Sequence, residues 1–214
     1  MKIKYILIVL VLAFLFLILC IKMDILNDLD NTIGKELYHL HDTPVSTIIS
    51  GVGMIGSTVG IISTLFLFMI ILAWLERNFV SSAVLFFTAL LGNIGNKLLK
   101  AIIARERPAF PEHVEEGYSF PSGHVMIGGV LLGMITYNLV KRTSQKNIKQ
   151  AIISITTFLI LIISVSRLLE GEHFVTDVIG GILAGSIMLI VMIKLDRYVH
   201  QLVKNRKIKK EIAM

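Results

Sequence analysis

The chain has 214 residues and a formal net charge of +6, and 55% of its residues are hydrophobic whereas 17% are charged. Its mean hydropathy is +0.78, and a water-soluble domain of this length does not need so much apolar surface. The composition therefore excludes a soluble globular protein and favours an integral membrane protein.

The apolar residues are concentrated in six long and nearly uncharged runs. The core of a bilayer is crossed by about 20 helical residues, within a range of roughly 17–25, and backbone polar groups in lipid must pair within their own segment. The sequence therefore predicts an all-α bundle of six membrane spans in one domain, residues 1–214. We expect the spans near residues 5–22, 46–74, 78–100, 123–140, 150–167 and 174–194, followed by a basic cytoplasmic tail at 195–214.

The first run, MKIKYILIVLVLAFLFLILCIKM, has the basic start and apolar middle of a secretory signal peptide. It lacks the small-residue cleavage site that such a peptide requires, so we expect it to remain as the first span. Cys20 is the single cysteine of the chain, which excludes an intramolecular disulfide.

Apolar residues recur at helical spacing after the first span, at Leu26, Leu29, Ile33, Leu37 and Leu40. Charged side chains and histidines lie between them. This pattern predicts an amphipathic helix on the extracytoplasmic surface of the membrane, with a short solvated loop as the alternative.

The Lys and Arg residues favour one orientation of the bundle, because the cytoplasmic loops of membrane proteins are enriched in them. With both termini in the cytoplasm, the extracytoplasmic side receives only one third of the 21 Lys and Arg. We therefore expect both termini to be cytoplasmic. The extracytoplasmic set consists of Lys22, Lys35, Lys97, Lys100, Arg105, Arg107 and Arg167.

Three segments on this side carry side chains suited to chemistry. The first is KAIIARERP, in which Lys100 and Arg107 are seven residues apart. Two helical turns separate them, so the spacing predicts that both lie on one helix face, and Pro108 helps to end that helix. A cluster of cations that anchors a helix end at lipid headgroups would show the same pattern.

The second segment is SFPSGHVMIGG, in which a turn interrupts the start of an apolar run. Pro121 and Gly123 permit a turn whose backbone N–H groups, with the Ser122 hydroxyl, can line an anion pocket at a helix N-terminus. His124 then lies in the first turn of the fourth span. A capping or interfacial histidine is the alternative that the tetrapeptide PSGH leaves open.

The third segment is SRLLEGEHFVTD, in which His173 and Asp177 are four residues apart. They would share one face if the stretch is helical. An aspartate so placed can accept the ring N–H and leave the other ring nitrogen free as a nucleophile. Arg167 adds a cation before the turn at Gly171. A His–Asp pair that only stabilises the interface is the alternative.

Together, the three segments bring two histidines, an aspartate, a lysine and two arginines to one side of the membrane, and such crowding of Arg and Lys suits a tetrahedral phosphate. The pattern resembles the three-part signature of the type 2 phosphatidic acid phosphatase (PAP2) superfamily. The matching positions are Lys100 with six residues before Arg107-Pro108, then Pro121-Ser122-Gly123-His124, and then Ser166-Arg167 with five residues before His173 and three before Asp177.

The resemblance implies a PAP2-like fold and an activity. The bacterial membrane branch of this superfamily includes phosphatases of phosphatidylglycerophosphate and of undecaprenyl diphosphate. We therefore expect metal-independent dephosphorylation of one of these lipids, or of phosphatidate, at the outer face of a bacterial plasma membrane. The expected partners are the lipid phosphate and membrane lipids, without nucleic acid, and the oligomeric state stays open.

The resemblance also implies the role of each residue. His173 attacks phosphorus and forms a phosphohistidine, Asp177 orients His173, and His124 protonates the leaving oxygen and then activates water. No cofactor and no metal are expected, since the cations of the site supply the positive charge. The phosphate oxygens are bound by Lys100, Arg107, Arg167 and the turn at Ser122 and Gly123.

Other functions stay open at this stage. A lipid phosphotransferase would pass the phosphate to an acceptor other than water. A non-catalytic lipid-binding protein would need no His–Asp pair, and an anion transporter would place its charges near the bilayer midplane. Glu170 and Glu172 depart from the apolar or aromatic residues more usual around that glycine, which leaves the headgroup preference open. Glu112, Glu115 and Glu116 form either a lid, a headgroup contact or a solvated loop.

Overall fold

The computed structural model describes residues 2–111 and 116–212. Within these ranges the chain forms eight α-helices and one 3-10 turn, and no β-strand. The helices are α1 (Lys2–Lys22), α2 (Asn27–Tyr38), α3 (Pro44–Gly53), α4 (Thr58–Glu76), α5 (Val80–Ile103), α6 (Gly123–Val140), α7 (Lys146–Leu169) and α8 (Val175–Ile212). All except α2 and α3 are long and apolar enough to cross a membrane, which confirms the predicted all-α bundle of six spans. Glu112 and Glu115 lie outside the described residues, and Glu116 is exposed.

The predicted span at 46–74 is wrong, because this run forms two helices. A single helix over the run would be about 44 Å long at about 1.5 Å per residue, whereas the hydrocarbon core is roughly 30 Å thick. The structure divides the run into α3, a 3-10 turn at Met54–Gly56, and α4. Ser57 is extended, and its Oγ accepts a hydrogen bond from Gly60 N–H at 3.1 Å. A serine cap within an apolar run is therefore the signal for the break.

Two other helix ends differ from the prediction. α5 continues to Ile103 and ends at Ala104, whose φ of 52° lies in the left-handed region. α8 continues to Ile212, so most of the predicted tail at 195–214 is helix. The chain has no Gly or Pro between Gly185 and this end, and cations near a helix C-terminus interact favourably with the helix dipole.

The amphipathic helix α2 forms as predicted, but its buried face differs from the expected one. Leu29 and Leu40 are 53% and 49% exposed, whereas Asp30 is only 1% exposed. Asp30 lies four residues after Leu26 and three before Ile33, so it belongs to the inward stripe of the helix. Burial of a carboxylate is costly unless it is paired, so Asp30 requires a buried partner.

The helix α6 lies at the centre of the bundle, where it contacts α4, α5, α7 and α8. Val130, Leu131 and Met134 of this helix are at most 1% exposed. The outer spans instead present large apolar side chains, of which Phe16 and Trp74 are more than half exposed. An apolar exterior around a packed centre is what a bundle in lipid requires.

The charged residues are concentrated at the two ends of the bundle. Short connections make consecutive spans antiparallel, so one end collects the C-termini of α4 and α6 together with the late part of α8. There, Lys141 Nζ lies 3.8 Å from a Glu76 oxygen and 3.5 Å from an Asp196 oxygen. The other end collects the C-termini of α5 and α7 and the N-termini of α6 and α8, and the residues of the three motifs lie there.

We predict that Gly56→Ala destabilises the folded protein whereas Gly51→Ala does not. A Cβ on Gly56 would lie 2.8 Å from Ile163 Cγ2 and 3.2 Å from His124 Cβ, while a Cβ on Gly51 meets nothing within 4 Å. Overpacking costs about 1–3 kcal/mol, and Ala is a better helix former than Gly by about 1 kcal/mol. Thermal unfolding in detergent measures the difference. Equal unfolding temperatures would show that the 3-10 turn has room beside His124.

Candidate active site

The turn before α6 leaves several hydrogen-bond donors at the N-terminus of this helix without partners in the described part of the chain. The peptide bond between Phe120 and Pro121 is cis. Ser122 N–H donates to the Asp177 carbonyl at 3.1 Å, and Asn96 Nδ2 donates to the Pro121 carbonyl at 3.1 Å. Ser122 Oγ is buried and has no hydrogen-bond partner among the described residues. The first N–H groups of a helix also lack partners within the helix, and such donors together form a site for phosphate.

Gly123 and His124 are the first two residues of α6. A Cβ on Gly123 would lie 3.1 Å from Asn96 Oδ1, so glycine allows α5 to approach the turn closely. His124 Nε2 lies 3.3 Å from Arg167 Nη1. Because arginine is always a donor, His124 Nε2 accepts in this contact and carries no proton there.

His173 and Asp177 meet at the start of α8, although not through the helical spacing that we expected. His173 precedes α8, which begins at Val175, and Asp177 lies in the first turn of the helix. Nδ1 of His173 is 3.5 Å from Oδ2 of Asp177, and the two side chains are buried. This separation is long for a hydrogen bond, but such contacts often tighten when substrate binds. Because Asp177 faces Nδ1, Nε2 is the ring nitrogen that can act on a substrate.

Arg105 joins Asp177 to α2, and none of the three motifs indicated this role. Its Nη1 donates to Asp177 Oδ1 and its Nη2 donates to Asp30 Oδ2, each at 2.7 Å. Asp30 also accepts a hydrogen bond from Thr176 N–H at 3.1 Å. Arg105 is thus the buried partner that Asp30 requires, and it satisfies two buried carboxylates with charge-assisted hydrogen bonds. The position of Asp30 on the inward stripe of α2 was the available signal in the sequence.

Arg167 lies in the last turn of α7, where its guanidinium contacts two carboxylates. Nη1 donates to Glu172 Oε2 and Nη2 donates to Glu170 Oε1, each at 2.8 Å. Nε donates to Ser166 Oγ at 3.2 Å. The two acidic residues that are unusual beside Gly171 therefore bind one of the predicted phosphate-binding cations.

The predicted shared helix face of Lys100 and Arg107 is wrong, because α5 ends between them. The helix stops at Ile103, well before Pro108, and Arg107 lies in the loop that follows. The physical reason is the left-handed conformation of Ala104, which turns the chain out of the helix.

Lys100 and Arg107 nevertheless lie at the same end of the bundle. Lys100 Nζ donates to the Tyr118 carbonyl at 2.6 Å, and Arg107 Nη1 donates to the Glu172 carbonyl at 3.0 Å. The loops that carry Tyr118 and Glu172 lead into α6 and α8. The two cations therefore connect the end of α5 and its loop to the segments that carry the two histidines.

Burial lowers the pKa of His173. Asp177 acts in the opposite direction, while the charges of Arg107 and Lys100 lower the pKa further. The ordinary pKa of histidine is about 6.5, so His173 is neutral at neutral pH. The neutral imidazole is the form that can act as a nucleophile.

The two glutamates on Arg167 respond differently to their surroundings. Burial would raise the pKa of Glu172, but interactions of its carboxylate, above all with the Arg167 guanidinium, outweigh this effect and lower the pKa. Burial prevails for Glu170, whose pKa is raised. Glu172 is therefore the more firmly ionised carboxylate of the two, and it binds the same Arg167 Nη1 that contacts His124.

The site thus brings the eight predicted residues to one end of the bundle. It combines a buried histidine beside a carboxylate, a second histidine, and several hydrogen-bond donors. In the part of the chain that the structure describes, no group of three or more His, Cys, Asp or Glu side chains is arranged to hold a metal ion.

The sequence matches one family model and one curated relative. The family model of the PAP2 superfamily matches residues 81–201. Phosphatidylglycerophosphatase B of Bacillus subtilis (strain 168) is 37% identical over 99 residues, which are 45% of this chain and 49% of that protein. The chain therefore matches about half the length of this curated relative.

Two solved structures resemble the fold. One is the crystal structure of the first transmembrane PAP2 type phosphatidylglycerolphosphate phosphatase from Bacillus subtilis, with a TM-score of 0.83 and 25% identity over 90% of this chain and 96% of that chain. The other is Aquifex aeolicus LpxE, with a TM-score of 0.61 and 21% identity over 78% of this chain and 95% of that chain. The family match covers more than half of the sequence and contains all three motifs, and the chain therefore belongs to the PAP2 superfamily.

Proposed function

We propose that the chain is a phosphatase of membrane lipid phosphates that forms a phosphohistidine on His173. The observation that carries this proposal is the meeting of His173 and Asp177 with the N-terminus of α6. A histidine beside a buried carboxylate and beside donors for a tetrahedral anion is what phosphoryl transfer requires. The name of the Bacillus subtilis relative, phosphatidylglycerophosphatase B, makes phosphatidylglycerophosphate the first substrate to test, before phosphatidate and undecaprenyl diphosphate.

In the first step, His173 Nε2 attacks phosphorus, and a P–N bond forms while the P–O bond to the lipid breaks. His124 gives a proton to the leaving oxygen. In the substrate-free protein His124 Nε2 accepts from Arg167, so it carries no proton there. A bound phosphate attracts Arg167 and favours the protonated form of His124, which prepares the general acid.

In the second step, water attacks the phosphohistidine, His124 takes the proton of the water, and the P–N bond breaks. Inorganic phosphate leaves and His173 is regenerated. Donors around the phosphate stabilise the charge on its equatorial oxygens in both steps. These donors are Lys100, Arg107, Arg167 and the turn at Ser122 and Gly123, and the proposed mechanism uses no metal and no cofactor.

A lateral cleft offers a place for the tail of the substrate. It has a volume of about 240 Å³ and lies between α6, α7 and α8. Val125, which directly follows His124, lines the end of the cleft next to the site, and Gly129 and Gly133 line it further along α6. A tail in this cleft would leave the headgroup at the N-terminus of α6, so we assign the cleft to the lipid tail.

We also propose that the site faces the extracytoplasmic side. Two thirds of the Lys and Arg lie on the other side of the predicted bundle, as the enrichment of cations in cytoplasmic loops requires. The substrate would then be a lipid of the outer leaflet.

The nucleophile can be tested by substitution of His173. We expect His173→Ala to lose nearly all phosphate release and to form no acid-labile phosphoenzyme, because no other nitrogen takes its place. We expect Asp177→Asn to slow turnover by about 10³-fold or more, since loss of the charge and of the correct tautomer act together. Phosphate release from lipid phosphates in detergent with excess EDTA measures both. Normal turnover of His173→Ala would contradict the mechanism, and full loss of wild-type activity in EDTA would contradict its independence of metals.

The contact between Arg105 and Asp177 predicts a positioning role for Arg105. Arg105→Ala leaves Asp177 as a buried carboxylate without its cation, so we expect kcat to fall about 100-fold while KM changes less than about threefold. Arg105→Lys should restore part of kcat. Lys97→Ala removes an exposed cation from the same outer region and serves as the control. Wild-type kcat in Arg105→Ala, at equal folded fraction, would refute the role.

The orientation can be tested by labelling of introduced cysteines in intact cells, with Cys20→Ala as background. Glu116 and Ser144 are both exposed and lie at opposite ends of the bundle. We expect Glu116→Cys to react with a membrane-impermeant thiol reagent in intact cells, and Ser144→Cys to react only after lysis. The reverse result would place the site on the cytoplasmic side.

A further inference from the structure

The two acidic residues on Arg167 lie between this cation and the outside of the bundle. The Arg167 side chain is 5% exposed, whereas those of Glu170 and Glu172 are 28% and 17% exposed. Each carboxylate binds a different Nη group, at 2.7 Å for Glu170 and 2.8 Å for Glu172. A phosphate that approaches Arg167 from outside therefore meets both carboxylates.

These carboxylates are held in place by other contacts. Arg107 Nη1 donates to the Glu172 carbonyl at 3.0 Å, which restrains the backbone that carries the Glu172 side chain. The Ser50 side chain acts to lower the pKa of Glu170, against the effect of burial, and so favours its ionised form. Unlike exposed acidic side chains that move freely in solvent, the two carboxylates are fixed parts of the site.

The charge of the two carboxylates lowers the net positive charge of the proposed phosphate site. Lys100, Arg107 and Arg167 supply three positive charges, and Glu170 and Glu172 offset two of them when ionised. The site therefore stays attractive for one phosphate group but is much less so for a second ionised phosphate that is bonded directly to the first. At distances of about 5 Å, partly buried charges still interact strongly.

The second phosphate of a lipid diphosphate would lie where the carboxylates are. His124 protonates the oxygen that links the reacting phosphate to the rest of the lipid, and the inner phosphate of a diphosphate follows directly after that oxygen. Arg167 Nη1 contacts both His124 Nε2, at 3.3 Å, and Glu172 Oε2, at 2.8 Å. An inner phosphate in this region would be repelled, whereas an uncharged glycerol hydroxyl there can donate a hydrogen bond to a carboxylate.

We infer that Glu170 and Glu172 determine the substrate class of this site, by disfavouring lipid diphosphates and favouring phosphate monoesters in which an uncharged group, such as the glycerol of phosphatidylglycerophosphate, follows the bridging oxygen. This inference rests on the proposed function and narrows it. Specificity of this kind comes from a repulsive element built against the competitor. The carboxylates act on the charge of the headgroup and do not take part in bond breaking.

The inference can be tested with two substrates that share one tail, dioleoyl phosphatidate and dioleoylglycerol diphosphate. The ratio of their kcat/KM values is measured for the wild type, Glu170→Gln, Glu172→Gln and the double variant. We expect the wild type to prefer the monophosphate, and the double variant to shift the ratio toward the diphosphate by about tenfold or more. Glu36→Gln and Glu116→Gln remove exposed charges from the same end, and we expect them to leave the ratio unchanged.

A binding measurement separates this inference from the proposed function. In a His173→Ala background, inorganic phosphate and pyrophosphate are titrated, and protection against thermal unfolding gives their Kd values. We expect Glu170→Gln with Glu172→Gln to lower the Kd of pyrophosphate about tenfold more than that of phosphate. An unchanged ratio in both assays, or an equal loss for both ligands, would overturn the inference. Absence of phosphate release by the folded wild type would instead overturn the proposed function.

Discussion

The organisation of the end of the bundle that carries the three motifs depends on the burial of the Asp177 carboxylate. A fully buried carboxylate remains ionised only if donors replace the water that it has lost. Asp177 receives the Phe174 N–H at 2.9 Å and a guanidinium N–H of Arg105 at 2.7 Å. Arg105 is itself mostly buried and needs a second anion, which Asp30 supplies. The ionised Asp177 side chain thus requires Arg105 and Asp30 nearby. To bring these residues together, α2 packs at this end, α5 ends before Arg105, and α8 begins beside both helices.

This requirement explains why a surface helix is part of the site. Hydrophobic burial alone would hold α2 only weakly, because Leu29 on this helix remains half exposed. The buried Asp30 instead binds Arg105 and the Thr176 backbone. Removal of one member of such a network leaves an unpaired buried charge, at a cost of about 3–5 kcal/mol. The position of α2 and the position of Asp177 are therefore set by the same contacts.

The sequence predicted the number of spans and brought the three motifs to one end of the bundle, because hydropathy and motif spacing are local properties. The predicted helix ends were wrong where a local signal competed with a longer apolar pattern. The Ser57 cap was hidden in an apolar run, and the left-handed Ala104 has no marker such as glycine. The pairing of Arg105 with Asp30 joins residues 75 positions apart, and no local rule connects them. The burial of Asp30 could have been read from its place on the α2 stripe, but its partner could not.

Arg105 and Arg167 are both buried cations at this end, and both need anionic partners. The consequences of the pairing differ between the two. Arg105 is paired with Asp30 and Asp177, and in the proposed mechanism its charge positions Asp177. Arg167 is equally buried, and without substrate it also needs anions, since an unpaired buried cation is costly. Glu170 and Glu172 supply them, which stabilises the empty site. In the proposed mechanism the same carboxylates remain near the headgroup when phosphate binds, so the stability of the empty site and its inferred selectivity for headgroup charge have one physical origin.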